Sequence, residues 1–470
     1  MNPLKKLLGQ TAIYGLSSVV GRLLNYLLVP LYTRYFLPAE YGVVTELYAY
    51  VAFLVIVLTY GLETAFFRFS KKENDVKVVY STALISLIVS SIIFVILMFI
   101  SSSEIANWMG YTGHTEYIEW FAIIIALDAV SSISFARLRE QNKAIRFVLI
   151  RLVNIFMNIS LNLYFIVYLE FGIEYIFLAN LIASIITLVM LFPEMINSSW
   201  SFDKSLWKKM MLYALPLLIA GLAGMTNETI DRILLKHLLP NPDIIASEIG
   251  LYGAFYKLSI IMTLFIQAFR FAAEPFFFSQ QKEGNSRKIY ADVMKYFTII
   301  MTIIFLGVTI FYDVIKGFLG SEYHDERGFL VVSILLLANL FLGIYYNLSI
   351  WYKLTEKTKY GAYLSIFGAA ITLGLNFTLI PIIGFVGSAW ATLACYFSMT
   401  IASYFIGRRH FSIPYQIGRI GLYLVSMLGV YFIIYFSDSN MWFNVLYLVG
   451  FIISIFLIEK PEKTVFSNPK

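Results

Sequence analysis

Apolar runs of about 18 residues or more follow one another along the chain, separated by short polar segments that are often charged. Runs of that length predict helices that cross a bilayer, at about 20 residues each. In the first half they begin near Gln10, Tyr41, Val78, Tyr117, Ile145 and Glu174. In the second they begin near Met210, Ile249, Ile289, Gly328, Tyr360 and Gly384, and two more follow near Pro414 and Met441. The expected fold is an all-α polytopic membrane protein of about 14 transmembrane helices. The first run is too long for a cleaved signal peptide and no small-residue cleavage site follows it.

Composition points the same way. The 470 residues are 59% apolar and 14% charged, with a mean hydropathy of +0.76, whereas a soluble domain carries roughly 25% charged residues. That excludes a soluble enzyme, a nucleic-acid binder and a disulfide scaffold. The single cysteine, Cys395, has no partner for an intramolecular bridge.

The net charge of +6 becomes informative once it is placed along the chain. Of 35 basic residues, 27 fall in alternate connections or at their edges, among them Lys71, Arg139, Lys143, Lys208, Arg270, Arg287, Lys353 and Arg409. The other side has Arg34, Arg232, Lys236, Lys316 and Arg327. By the positive-inside rule both termini are expected in the cytoplasm and the number of spans is even. Each basic cluster reads first as a topogenic, solvated one.

The first and seventh spans resemble each other. At an offset of 202, Asn25 falls on Asn227, Arg34 on Lys236, Leu37 on Leu239 and Pro38 on Pro240. After an insertion, Glu40-Tyr41-Gly42 meets Glu248-Ile249-Gly250, and the segment around Phe67 meets that around Phe277. The shared order implies a duplicated unit of six helices. Because six is even, both copies enter the membrane from the same face, so two lobes related by an axis along the membrane normal are expected. Such pseudo-two-fold repeats are common in transporters that rock about a central site. The expected division is residues 1–196 for the first lobe, 197–209 for a cytoplasmic linker, 210–410 for the second lobe, and 411–470 for two additional helices and a tail.

Ionisable groups at mid-membrane depth are costly, and they face a cavity or a partner. The basic and amide candidates for a substrate cavity are Arg22, Asn25, Arg151, Asn154, Asn158, Asn227 and Lys257. Spacings of 3 and 4 put Arg151, Asn154 and Asn158 on one helical face. Candidates for gating or ion coupling are Glu63, Arg68, Asp128, Glu228 and Asp231. Each has a structural alternative. Arg22 can pair with Asp128 or Glu63, the asparagines can glue helices together, Asp231 and Arg232 can form a local ion pair, and Lys257 can snorkel. Pro30, Pro216 and Pro275 are candidate kinks. Three interior cations suit an anion such as a phosphate or pyrophosphate head group, which arginine matches bidentately. Neither a P-loop nor metal-ligand spacing occurs, and His114 and His324 stand singly in loops, so no enzyme, metal or cofactor is expected.

On Gly21-Arg22, on Thr33 to Gly42, on Gly61 to Ser70 (GLETAFFRFS), on Leu215-Pro216-Leu217-Leu218 and on Asp231-Arg232, the chain resembles a known family. This is the polysaccharide transporter (oligosaccharide flippase, Wzx-like) branch of the multidrug/oligosaccharidyl-lipid/polysaccharide exporter superfamily. The resemblance covers about residues 5–410. It implies movement of an undecaprenyl-pyrophosphate-linked oligosaccharide from the cytoplasmic to the periplasmic leaflet of a bacterial inner membrane, for surface polysaccharide or O-antigen synthesis. It also implies Arg22 as the best match to a pyrophosphate contact. As partners it implies membrane lipids and a polysaccharide polymerase with chain-length machinery, but no nucleic acid, and a monomer. A cation-coupled multidrug antiporter of the same superfamily is the competing expectation, to be told apart by the sign of the cavity.

Overall fold

The computed structural model describes residues 21–459 apart from residues 22, 25, 72, 74, 282–284 and 438–440, and apart from the side chain of residue 441. Of these, α1 (Leu28–Tyr35) is the end of the first predicted span. The next five spans are α2 (Pro38–Thr59) with α3 (Leu62–Phe69), α4 (Val76–Ile100), α6 (Thr115–Glu140), α7 (Ala144–Asn162) and α8 (Glu174–Ile196), with a short α5 (Ser102–Trp108) between α4 and α6. The second set is α9 (Lys204–Leu238), α10 (Ile245–Gln280), α11 (Ser286–Ile310), α12 (Gly328–Leu348) with α13 (Ile350–Leu354), α14 (Lys359–Ile383) and α15 (Phe385–His410). Two more helices, α16 (Ile417–Phe436) and α17 (Met441–Ile458), complete it. Among the described residues twelve helices are long and apolar enough to cross a membrane, and Trp442–Ile458 is a shorter apolar one. The chain is a multi-pass membrane protein.

Helix ends are set by local chemistry. The Asp75 carboxylate accepts from the Lys77 and Val78 amides to start α4, and Asp203 does the same for Ser205 and Leu206 at the start of α9. Pro38 stands in the first turn of α2, where its missing N–H costs nothing. Arg137, which pattern alone marks as topogenic, is buried and donates to the Glu194 and Asn197 carbonyls at 2.7 and 2.9 Å. It thereby serves the orphan acceptors at the end of α8. Arg146 reaches the Glu194 carboxylate at 3.0 Å.

The fourth span of each set is its most buried. α6 carries Ala122, Ala126, Ala129, Ser131, Ser134 and Ala136 on its buried faces, and small residues let neighbouring backbones approach. α4, α6 and α8 pack side by side, as do α12, α15 and α14. α16 and α17 both pack on α11, and Lys295 of α11 pairs with Glu459, just past the end of α17, at 2.5 Å.

The two sets meet most closely where α2 crosses α10. A Cβ on Gly42 would overlap the Ala246 carbonyl, and one on Gly250 would overlap the Pro38 carbonyl. These two glycines are the paired positions of the sequence repeat, so the helices touch backbone to backbone at equivalent points. This crossing lies at the end of the bundle away from the basic connections.

The second span is broken, which its apolar pattern does not predict. Tyr60 (φ 32°) and Gly61 (φ 73°) are left-handed and separate α2 from α3. A side chain at Gly61 would meet the Ala214 carbonyl of α9 at 3.0 Å, so the break lets these backbones come close. By contrast α9 and α10 run on through Pro216 and Pro275 as single helices of 35 and 36 residues.

Candidate functional site

At the opposite end from the basic connections the two halves are sealed. The Tyr323 hydroxyl donates to the Phe36 carbonyl at 3.0 Å and the Gly320 amide to Thr33 Oγ1 at 3.1 Å. Tyr26 and Phe318 stack at 4.7 Å. Lys236 of α9 lies 2.9 Å from the buried Glu46 carboxylate of α2, also donates to the Met109 carbonyl, and sits 4.3 Å over the Tyr111 ring. Tyr50 meets His237 at 3.3 Å, and Trp108 packs on the same imidazole. The Arg327 guanidinium pins the loop that precedes α12 to α10, with two bonds to Glu248, at 2.8 and 2.9 Å, and two to Asp325. The hydrogen bonds from Arg327 keep the Asp325 carboxyl below its ordinary range.

Below this seal a cavity of about 1570 Å³ runs along α9, α10, α12, α14 and α15 towards the basic end. Tyr26, Asn227, Glu228, Tyr256, Lys257 and Asn339 line it, and Arg270, Glu274, Tyr346 and Tyr352 line its mouth. Lys257 has no hydrogen-bond partner among the described residues; the charges of Arg232 and Glu228 act on it. Asn227 is tied to the wall, donating to the Ser365 carbonyl at 3.1 Å. Asp231 is not on the cavity. It is buried, pairs with Arg232 at 2.9 Å and accepts from the Tyr252 hydroxyl, while the Arg232 guanidinium stacks 4.0 Å over Tyr256.

The other candidates gather in the first half. Glu63 pairs with Arg139, and Asp128 accepts from Ser184 at 3.0 Å. Arg151 stacks 4.2 Å over Phe135 and feels the charges of Asp128, Arg139 and Glu63. The break at Gly61 aims Glu63 into this group. Asn154 donates to Thr187 Oγ1 at 2.9 Å and to the Ala183 carbonyl at 3.1 Å, so its contacts are with α8. Asn158 serves Asn162, whose Oδ1 accepts the Tyr32 hydroxyl at 3.0 Å. Arg68 lies 4.2 Å over the Tyr213 ring, a contact between the halves at the basic end. Arg22 and Asn25 lie outside the described residues.

Pattern reading missed Arg139, Arg270, Glu274 and Lys353, because it counted the basic ones among solvated connections. A span of about 20 residues from Ile249 ends near Arg270. The helix instead continues to Gln280, and the i, i+3/i+4 run Tyr256, Ile260, Thr263, Gln267, Arg270, Glu274 stays on the cavity wall. Among the described residues no group of three or more His, Cys, Asp or Glu side chains is placed to hold a metal ion.

Residues 7–281, more than half of the chain, match the family model described as polysaccharide biosynthesis protein. The chain belongs to the polysaccharide biosynthesis protein family. The family match spans all of the first set of helices together with α9 and α10, the helices that carry the cavity's charges. No curated protein sequence matches it. Among solved structures it is similar to the lipid II flippase MurJ in an inward closed conformation, at 16% identity over 94% of this chain and 98% of that one, with a TM-score of 0.75. It is also similar to a multidrug resistance MATE family transporter of the MOP superfamily. The inward-facing conformation matches at 14% identity over 85% of this chain and 94% of that one, with a TM-score of 0.66. The outward-facing one matches at 13% over 86% and 94%, with a TM-score of 0.60. At these identities the shared property is the fold.

Proposed function

We propose that the protein is a flippase. It moves a polyprenyl-pyrophosphate-linked oligosaccharide from the cytoplasmic to the outer leaflet of a bacterial inner membrane by alternating access, for cell-surface polysaccharide or O-antigen synthesis. The observation that carries the reading is the large cavity with Lys257 at its depth and Arg270 at its mouth, closed at one end and reached from the basic end. The positive-inside rule makes that end cytoplasmic, with both termini on the same side. A glycosylated diphosphate must cross about 30 Å of hydrocarbon. A polar, cationic passage lowers that barrier while the polyprenyl tail stays in lipid. Family membership supports a glycan as cargo.

In this reading Lys257 and Asn227 contact the head group in the second lobe, and Glu228 beside them is an ion-coupling group. Arg151, Asn154 and Asn158, together with the sequence candidates Arg22 and Asn25, are the head-group contacts assigned to the first lobe. Glu63, Arg68 and Asp128 serve the closing of the basic end, and Asp231 braces Arg232. A second reading, a cation-coupled multidrug antiporter, is favoured by one observation: Glu228 and Glu274 put two carboxylates on the same cavity.

A leaflet assay separates the two. Proteoliposomes carrying a fluorescent polyprenyl-diphosphate-linked saccharide are probed with a membrane-impermeant reagent that modifies only the outer leaflet. The flippase reading expects Lys257→Gln to abolish transfer and Glu228→Gln to leave it measurable. Transfer at the wild-type rate by Lys257→Gln, with cationic dye efflux lost in Glu228→Gln, supports the antiporter instead.

A further inference from the structure

Three ions at the cavity mouth, Arg270, Glu274 and Lys353, are given no ligand of their own in the reading above. Arg270 and Glu274 stand one turn apart on α10, and Lys353 reaches them from α13. The Lys353 ammonium donates to Glu274 Oε1 at 2.6 Å, and the Arg270 guanidinium lies 3.6 Å from the same oxygen. Arg270 is held flat over Tyr346, 4.0 Å from the ring centre, and its Nε is buried without a hydrogen bond. All three side chains keep between 25 and 39% exposure.

A guanidinium matches a two-oxygen anion side by side, as Arg327 does with both oxygens of Glu248. Here two cations converge on one oxygen, one guanidinium donor is idle, and the set carries a net charge of +1. The site is underfilled by its own carboxylate. An anion with several oxygens on one centre fills it better, and phosphate is the chemistry that guanidinium and ammonium share as a ligand.

We propose that Arg270 and Lys353 form a phosphate-binding site at the cavity mouth, and that Glu274 is a tethered anion that occupies this site until the phosphate of the substrate displaces it. The proposal rests on the flippase reading for the identity of the substrate. Thirteen residues of helix, about 20 Å, separate Arg270 from Lys257, far more than a diphosphate spans. The mouth is therefore a first station and Lys257 a second. Glu274 remains beside the arriving phosphate and repels it, so the mouth captures the head group without trapping it.

The test measures anion binding to the full-length protein in phosphatidylcholine nanodiscs by titration calorimetry, with inorganic pyrophosphate and a polyprenyl diphosphate as separate probes. Glu274→Gln, nearly isosteric, is expected to bind more tightly by roughly tenfold, the size of one lost charge repulsion in a partly hydrated site. Arg270→Gln and Lys353→Gln are expected to weaken binding by about the same factor or more, and Arg270→Lys by less. Equal responses to both probes mean that phosphate oxygens alone are read, and a response to the polyprenyl probe alone assigns the site to the lipid head group; both sustain the proposal. Unchanged or weaker binding in Glu274→Gln with an unchanged melting temperature overturns it, as does unchanged binding in both cation variants. If Arg270→Gln or Lys353→Gln fails to fold, Arg270→Lys and Glu274→Gln decide; if Glu274→Gln fails to fold, Glu274→Ala takes its place. Normal leaflet transfer with no response of binding to these substitutions overturns the mouth site and leaves the flippase reading standing. Absence of transfer by the wild type overturns that reading, while the titrations still judge the mouth site.

Discussion

Adding one methyl group at Gly250 should open the sealed end. The Gly42–Gly250 crossing admits no Cβ: on Gly250 it would overlap the Pro38 carbonyl, which is backbone and cannot rotate away. Normal carbon contacts need about 3.5 Å, so α2 and α10 must part in Gly250→Ala. Overpacking of this kind costs about 1–3 kcal/mol. The contact exists only while the ends are closed, so that cost falls on the closed state alone. A shift of that size multiplies the open population by roughly 5- to 150-fold as long as closed molecules stay in the majority. Ala49, buried one heptad beyond Gly42 on the same face of α2, supplies the reporter. With Cys395→Ser to remove the native thiol, an Ala49→Cys protein in nanodiscs is expected to be labelled by a maleimide only when the halves separate. Gly250→Ala should raise the labelling rate by at least fivefold. Gly307→Ala, where a Cβ meets nothing within 4 Å, should leave it unchanged. A rate within about twofold of the parent, in a protein with an unchanged melting temperature, would refute the idea that this crossing holds the end shut.

Two further outcomes follow from the same seal. Lys236→Met leaves the buried Glu46 carboxylate without its counter-charge, which costs about 3–5 kcal/mol; the same labelling assay should show a faster rate, and adding Glu46→Gln should bring it most of the way back. Asp325 is held below the ordinary carboxylate range by Arg327, so its charged form is favoured in the folded loop. Its contribution is complete above the unfolded value of about 3.9 and is lost only as the pH falls through the lower folded value. The labelling rate, divided by that of a permanently exposed cysteine at the same pH to remove the thiol's own pH dependence, should therefore stay level from pH 7 to pH 5, with Arg327→Gln raising it throughout that window.

How much of this was legible in the sequence depended on what the pattern measures. Apolar periodicity found the helices, since lipid requires long ion-poor runs, and thirteen of the fourteen expected starts fall at or near the start of a described helix. The first start, near Gln10, lies outside the described residues. The Glu40-Tyr41-Gly42 and Glu248-Ile249-Gly250 match marked equivalent positions of a repeat, but not that the two helices meet there through their glycines. The break at Tyr60–Gly61 was invisible, because it answers to the approach of Ala214 from a helix some 150 residues later. Arg270 and Lys353 were sorted as solvated topogenic charges for a related reason. Their partners, Glu274 and the ring of Tyr346, become neighbours only once α10 is known to run 36 residues along a cavity. Asp231 illustrates the converse: adjacent opposite charges read equally well as a site or as a brace, and here the pair is closed by Tyr252 and Tyr256.

Under the proposed function a lipid-linked saccharide crosses through this cavity as the sealed end opens. Tyr50→Cys with His237→Cys, on the Cys395→Ser background, puts one thiol on each half where the two side chains now meet at 3.3 Å. Bridging them with a cleavable bifunctional maleimide locks that end in proteoliposomes loaded with a fluorescent polyprenyl-diphosphate saccharide. Transfer between leaflets should fall to the protein-free rate on bridging and return when the bridge is cleaved. Transfer that continues unchanged through a complete bridge would contradict the account.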